Sequence, residues 1–232
     1  MSKQIVLFIV EGFSDKNSFE NILNHAFGDK VKYKIVGGDI TIKSGPYNIV
    51  KNIRKKVNEF LCDPKNKYFL KDIKKIVHLI DIDGVFLDSN LIEEDKDIKH
   101  VTYVNNKCLV KDKEQILERN KNKSLVIKKL SQTDTIDFKS IVIPYEAYYF
   151  SCNLEHVFHD NPNVVTEKEK IDLSNKLADK YFGYENLFIE DLENSDYATK
   201  LNYKDSWNNI IDASLGIEKS TNFNLFFTQK DD

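Results

Sequence analysis

Three short strand-like segments, separated by segments of helical character, most constrain how this chain can fold. Residues 5–10 are apolar at every position, residues 76–80 are apolar except for His78, and residues 31–36 give a further strand that includes Lys32 and Lys34. Runs of this kind are typical of strands buried on both faces of a parallel sheet. The segments between them repeat apolar residues every three or four positions, which is the helical period. Three strand-helix alternations predict βαβ crossovers, and hence an α/β protein with a mostly parallel sheet flanked by helices.

Local patterns predict the remaining elements. Asn105 and Asn106 predict a hairpin between residues 101–104 and 107–110, because Asn tolerates the positive φ of a tight turn. Gly37 and Gly38 are expected to end the second strand. Periodicity and capping residues predict helices over 14–26, 49–61, 112–130, 151–159, 166–182 and 204–214, and a further strand over 140–143.

The charge of the chain is divided unevenly along its length. The formal net charge is only −3. Residues 1–140 nevertheless carry 26 basic and 20 acidic side chains, whereas residues 141–232 carry 8 and 17. We therefore expect a domain boundary near residue 140, with a metal-binding catalytic domain before it and an acidic, mainly helical part packed on that domain.

The composition also excludes several classes of protein. With 41% hydrophobic and 31% charged residues, the chain is neither disordered nor collagen-like. Cys62, Cys108 and Cys152 are odd in number and widely spaced, which argues against a disulfide framework or a cysteine zinc site. No apolar run approaches the ~20 residues needed to span a bilayer. These features predict a cytoplasmic protein without a membrane partner.

Acidic side chains follow two of the predicted strands at the point where each strand ends. Glu11 comes directly after the first strand, and Asp81 and Asp83 close the third. In an open α/β sheet the carboxyl ends of the strands form the ligand-binding edge. Carboxylates that converge there repel one another unless a proton or a cation neutralises them, and oxygen ligands suit Mg²⁺ or Mn²⁺. The sequence predicts a metal site of Glu11, Asp81 and Asp83, which Asp15 would join at its rim.

The order of these motifs resembles the Toprim domain. The resemblance covers residues 4–110 and is carried by Glu11-Gly12 after the first strand and by Asp81-Ile82-Asp83-Gly84 after the third. Toprim domains occur in topoisomerases, DnaG-type primases, OLD-family nucleases, ribosomal-RNA-maturing ribonucleases and phage-defence effectors. By this resemblance Glu11 would be a general acid/base or metal ligand, and Asp81 and Asp83 would hold Mg²⁺.

The size of the chain favours one branch of that family. It lacks the accessory domains of topoisomerases and primases and the ATPase domain of OLD proteins. The expected function is a stand-alone Mg²⁺-dependent nuclease acting on DNA or RNA, in RNA processing or phage defence, with a partner or activator protein. A lysine-rich helix supplies candidates for phosphate contacts in Lys51, Arg54 and Lys55, and basic residues near it extend the set: Lys32, Lys34, Lys43 and Lys56.

Two alternatives stay open. Residues 79–89 also resemble the first motif of haloacid-dehalogenase-like phosphatases, in which Asp81 would be the nucleophile and Asp83 the acid/base. That motif normally lies on the first strand of its fold, and Glu190-Asp191 is the only candidate here for the later acidic pair. The second alternative is a degenerate Toprim scaffold that binds a protein or nucleic acid without catalysis.

Two further clusters have simpler interpretations. His156 and His159 lie at i and i+3 and would share one side of a helix, but no third metal ligand accompanies them. The aromatic residues around 145–150 are suited to stacking on bases, although their position favours packing in the core.

Overall fold

The computed structural model describes residues 4–35, 39–212 and 217–228. Its strands are β1 (Ile5–Val10), β2 (Val31–Ile35), β3 (Ile73–Asp81), β4 (Ile92–Glu94), β5 (Thr102–Val104), β6 (Lys107–Val110), β7 (Thr135–Asp137) and β8 (Val142–Phe150). Its α-helices are α1 (Phe13–Phe27), α2 (Ile40–Lys43), α3 (Ile49–Cys62), α4 (Lys113–Ser131), α5 (Leu154–His159), α6 (Glu167–Lys180), α7 (Glu185–Asn194), α8 (Tyr203–Asp212) and α9 (Asn224–Thr228).

The main sheet has the strand order β2-β1-β3-β8-β7. The first four strands run parallel, and β7 pairs antiparallel with β8 at one edge. Helices pack on both faces, with α3, α4 and α8 on one and α1, α6 and α7 on the other. The predicted α/β class with a mostly parallel sheet flanked by helices is therefore confirmed.

Burial on both faces explains why β1 is apolar throughout. In β1, Leu7 and Ile9 point into one core, whereas Phe8 and Val10 point into the other. Because successive side chains of a strand alternate between faces, a sheet covered on both sides needs apolar residues at every position. The aromatic residues of β8 follow the same rule and are buried, as their position had suggested: Tyr145, Tyr148, Tyr149 and Phe150.

A smaller sheet follows β3, in the order β4-β6-β5. Its β5 and β6 form the predicted hairpin, with Tyr103 opposite Cys108. Asn105 and Asn106 make the turn with φ values of 49° and 60°, as expected from the tolerance of Asn for this conformation.

The strand predicted over 140–143 is longer than expected and lies near the centre of the sheet. Pro144 favoured an early end, because proline has no backbone N–H to donate. The pairing of β8 with β3 begins only at Tyr145, opposite Ile76, so the missing donor is not needed there. Five elements were not predicted: β4, β7, α2, α7 and α9. The expected strand end at Gly37 and Gly38 lies outside the described residues.

Residues from both sides of position 140 contribute to this sheet. β8 lies between β3 and β7, and α8 covers the same face as α3 and α4. Near residue 140 the charge along the sequence changes, but residues from both sides share one hydrophobic core. The division into domains of residues 1–140 and 141–232 stays a prediction. Within the part of the chain that the structure describes, no helix has both the length and the apolar character needed to cross a bilayer.

Candidate functional site

The site forms where β1 and β3 end side by side. Their parallel register places Ile9 beside His78, so Glu11 and Asp81, which follow these residues, leave the sheet at the same edge. Asp81 is the last residue of β3, and Asp83 lies two residues further on. The carboxyl ends of adjacent parallel strands thus bring together side chains that are far apart in sequence.

The loop after β3 is held by the end of β8. The Ile82 N–H donates to the Phe150 carbonyl at 3.0 Å, and the Asp83 N–H donates to the Cys152 carbonyl at 2.9 Å. Asp83 adopts a left-handed conformation with φ 53°, followed by Gly84 with φ 63°. An aspartate tolerates this conformation better than most residues, and glycine tolerates it without steric cost.

Asp15 lies at the start of α1, one helical turn beyond Glu11. Its Oδ2 accepts a hydrogen bond from the Gly12 N–H at 2.8 Å and so helps to cap the helix. Burial is the main reason that the pKa of Asp15 is raised to about 6, and the Glu155 charge raises it further. Asp15 therefore has a structural contact of its own and also belongs to the electrostatics of the site.

Glu11 and Asp81 carry the least compensated charges. Burial raises the pKa of Glu11 to about 8, with repulsion from Asp39 as the next cause. The pKa of Asp81 is raised well above its ordinary value by burial and then by Glu11 and Asp83. Among the described residues, no hydrogen bond involves either carboxylate. Both groups would gain from a bound proton or cation.

Lys123 and Asp39 complete one side of the site and were not predicted. The Lys123 side chain is fully buried, and its Nζ lies 2.5 Å from Asp39 Oδ2 and 2.6 Å from Asp83 Oδ2. Burial alone would raise the pKa of Asp39, but the Lys123 charge and hydrogen bonds from Lys123 and Thr41 outweigh it and lower that pKa. Burial also opposes the charged form of Lys123, yet the neighbouring carboxylates raise its pKa.

Glu155 also belongs to the site and follows the carboxyl end of β8. It lies in the first turn of α5 and is only 3% exposed. Its pKa is raised, mainly by burial. Lys170, on α6, is attracted to Glu155 and Asp81, which raise its pKa against the effect of its own burial.

We call this group of six carboxylates and their surroundings the acidic edge. It consists of Glu11, Asp15, Asp39, Asp81, Asp83 and Glu155, which act on one another electrostatically. Its cationic neighbours Lys123 and Lys170 neutralise only part of this charge. Arg119 contacts the edge through its Nη2, which donates to the Asp83 carbonyl at 3.1 Å.

The acidic edge has donor atoms of the kind that a divalent cation prefers, but they do not form a ready-made coordination group. Its oxygen donors and uncompensated charge are those that Mg²⁺ prefers. However, the described residues contain no group of three or more His, Cys, Asp or Glu side chains arranged to hold a metal ion. Mg²⁺ usually keeps several waters and takes only one or two carboxylates from the protein, so it does not require such a group.

The predicted nucleic-acid contacts lie on α3. Lys51, Arg54 and Lys55 line one shallow surface depression together with Glu59. The Arg54 Nε is buried without a hydrogen-bond partner in the described structure. Glu59 pairs with Lys34 at 3.1 Å and with Lys56 at 3.2 Å, so two of the basic candidates already have an acidic neighbour.

The histidine pair on α5 shows no metal-site geometry. The His156 Nδ1 and His159 Nε2 atoms are buried without a hydrogen-bond partner among the described residues. Burial lowers the pKa of both rings, which keeps them neutral at pH 7. The neighbouring Asp160 is turned to Lys219, which it contacts at 2.5 Å, rather than to the histidines.

No protein-family model, no curated protein and no solved structure matches this chain. The acidic edge is therefore interpreted from its own geometry and charge.

Proposed function

We propose that this protein is a Mg²⁺- or Mn²⁺-dependent nuclease, with Glu11, Asp81 and Asp83 as its central residues. The observation that carries this proposal is the convergence of these carboxylates at one edge of the sheet, with too little positive charge to balance them. A partly buried cluster of this kind is costly to the fold unless it binds a proton or a cation. Such clusters are therefore found chiefly where function requires them.

The reaction would be hydrolysis of a phosphodiester. A water oxygen forms a bond to phosphorus, the bond from phosphorus to the leaving oxygen breaks, and a proton moves from the water to a base. A bound Mg²⁺ supplies stabilisation of the negative charge on the phosphoryl oxygens and lowers the pKa of bound water. Glu11 is the proposed base, because its carboxylate makes no hydrogen bond among the described residues and lies at the strand ends next to Asp81.

The basic helix α3 is the proposed site of nucleic-acid backbone contact. An acidic edge repels a polyanion, so a substrate needs cationic contacts beyond the metal. Lys51 and Lys55 are exposed, and the half-buried Arg54 carries an Nε without a partner. Contacts of this type bind phosphates and do not read the base sequence, so they suit DNA and RNA equally.

The phosphatase alternative gains no support from the fold. The proposed later acidic pair, Glu190 and Asp191, lies within α7 rather than after a strand. Glu11 and Asp15 have no role in that scheme, although they belong to the same electrostatic group as Asp81. The phosphatase and the degenerate binding module are therefore kept as outcomes of the test.

The test is cleavage of a panel of nucleic acids by the full chain. Plasmid, linear duplex, single-stranded DNA and total tRNA are incubated with Mg²⁺, Mn²⁺ or EDTA, and a p-nitrophenyl phosphate reaction runs alongside. The Asp81→Asn variant is compared with Asp179→Asn, which changes an exposed residue of α6. We expect cleavage that requires a divalent ion, is lost in Asp81→Asn and is retained in Asp179→Asn.

The other outcomes separate the alternatives. Nitrophenol release without strand cleavage would replace the nuclease with the phosphatase. Binding of nucleic acid that persists in EDTA, with no cleavage under either metal, would favour the binding module.

A further inference from the structure

Lys123 lies on the apolar stripe of its helix. Val126, Ile127 and Leu130 share the buried face of α4 with it, at the spacing of one helical turn. A lysine at such a position loses its hydration and must find negative partners, because an isolated buried ammonium is costly. Its partners are Asp39, which precedes α2, and Asp83, which follows β3.

The ammonium bridges two carboxylates in the way that a metal ion does. Its Nζ lies at hydrogen-bond distance from both Asp39 Oδ2 and Asp83 Oδ2, so one positive charge serves two acidic groups. In two-metal sites, the second metal ion lies about 3.5–4 Å from the first and supplies a positive charge of this kind. A divalent ion that joined Asp39 and Asp83 would have to displace Lys123 or lie against its charge, and both are unfavourable in a buried setting.

We propose that Lys123 takes the place of a second cation, so that the acidic edge binds one divalent ion, on the side of Glu11 and Asp81. The inference rests on the proposed metal-dependent function and adds the number of ions and their position. The carboxylates of Glu11 and Asp81 make no hydrogen bond among the described residues, whereas the Asp39 carboxylate is already satisfied by Lys123 and Thr41. Asp83 accepts a hydrogen bond from Lys123 at its Oδ2, and no side-chain hydrogen bond occupies its Oδ1 among the described residues.

The number of bound ions tests this directly. Mn²⁺ is titrated into the full chain by calorimetry, with free Mn²⁺ followed by electron paramagnetic resonance. We expect one ion per chain in the wild type and two in Lys123→Met, which removes the charge but keeps most of the volume. Lys121→Met, an exposed position on the same helix, should keep one. Two ions in the wild type, or one in a folded Lys123→Met, would overturn the inference.

A second measurement does not depend on how the variant folds. Anomalous diffraction from wild-type crystals grown with Mn²⁺ should give one peak, near Glu11 and Asp81, with Lys123 still between Asp39 and Asp83. A peak between Asp39 and Asp83 would contradict the inference while leaving the nuclease proposal intact. A complete absence of Mn²⁺ binding in both experiments would overturn the two proposals together.

Discussion

Lys123 and Asp83 form an ion pair of 2.6 Å between residues 40 positions apart in sequence. The pair ties α4 to the loop that follows β3, and the same ammonium reaches Asp39 before α2. Three separate segments of the chain therefore meet at one buried charge. This arrangement positions Asp83 and neutralises part of the acidic edge before any ligand arrives.

Removal of the Lys123 charge should destabilise the protein substantially. Lys123→Met leaves Asp39 and Asp83 without their shared partner, and loss of one member of a buried ion pair costs about 3–5 kcal/mol. Urea denaturation in EDTA measures the free energy of unfolding. Lys121→Met should change it by less than about 0.5 kcal/mol, as is usual for an exposed site. Equal effects of the two variants would show that the Lys123 ion pairs do not contribute to stability.

The metal-free protein should lose stability as the pH rises from about 4.5 to about 8. Glu11 has an ordinary pKa of 4.5 and a pKa of about 8 in the fold, so within this range the folded state binds more protons than the unfolded state. Stability then decreases with increasing pH. Thermal unfolding in EDTA across this range measures the effect.

Glu11→Gln should reduce that dependence on pH, because the substituted group does not titrate. Asp81 and Asp15 also have raised pKa values, so part of the dependence should persist. Glu190→Gln, at an exposed position of α7, is the matched control and should behave as the wild type. A pH dependence that is unchanged in Glu11→Gln would argue against proton binding at this residue.

Gly84→Ala should destabilise the loop that carries Asp83. The φ of Gly84 is +63°, and an added Cβ would lie 2.8 Å from Leu87 Cδ1. A left-handed alanine with this contact should cost roughly 1–3 kcal/mol. Gly45→Ala is the control, since nothing lies within 4 Å of its added Cβ. The unfolding free energies of the two variants in urea are compared; a neutral Gly84→Ala would mean that the loop rearranges freely.

Replacement of Lys51, Arg54 and Lys55 by glutamine should weaken nucleic-acid binding and make it less sensitive to salt. Loss of three phosphate contacts should reduce the slope of log K against log salt by about 2–3. Fluorescence anisotropy with Asp81→Asn, in Mg²⁺, measures binding without cleavage. The control replaces three exposed lysines of α4 instead: Lys121, Lys128 and Lys129. If the slope of log K against log salt decreases equally in both triple variants, binding reflects overall charge rather than a surface on α3.

Much of the fold follows from local sequence patterns. The apolar runs that become β1 and β3, the periodic helix α3 and the Asn105-Asn106 turn all have strong local signals. β7 has only three residues and no such signal. Leu187, Phe188 and Ile189 lie in α7, but three consecutive apolar residues do not distinguish a helix from a strand. Short elements of this kind depend on their tertiary contacts.

The candidate site was predictable where its residues end strands or, like Asp15, begin the helix that follows. Glu11, Asp81 and Asp83 follow apolar runs, and that position alone marks them. Lys123 had a subtler signal, because it occupies an apolar position of an amphipathic helix where a charged residue is unexpected. Asp39, by contrast, reaches the site through tertiary packing, and no local pattern indicates it.

The position of β8 has a consequence for how the protein is made. Its partner in the sheet centre, β3, is complete at Asp81, but Tyr145, which pairs with Ile76, is translated 64 residues later. The Tyr149 N–H in turn donates to Asn222, a further 73 residues along the chain. During synthesis on the ribosome, β3 therefore lacks its neighbour β8 until residue 150 has been translated, and β8 lacks its contact with Asn222 until nearly the whole chain has been made. The loop that carries Asp83 is held by the Phe150 and Cys152 carbonyls, so it too gains this support only after β8 has been made.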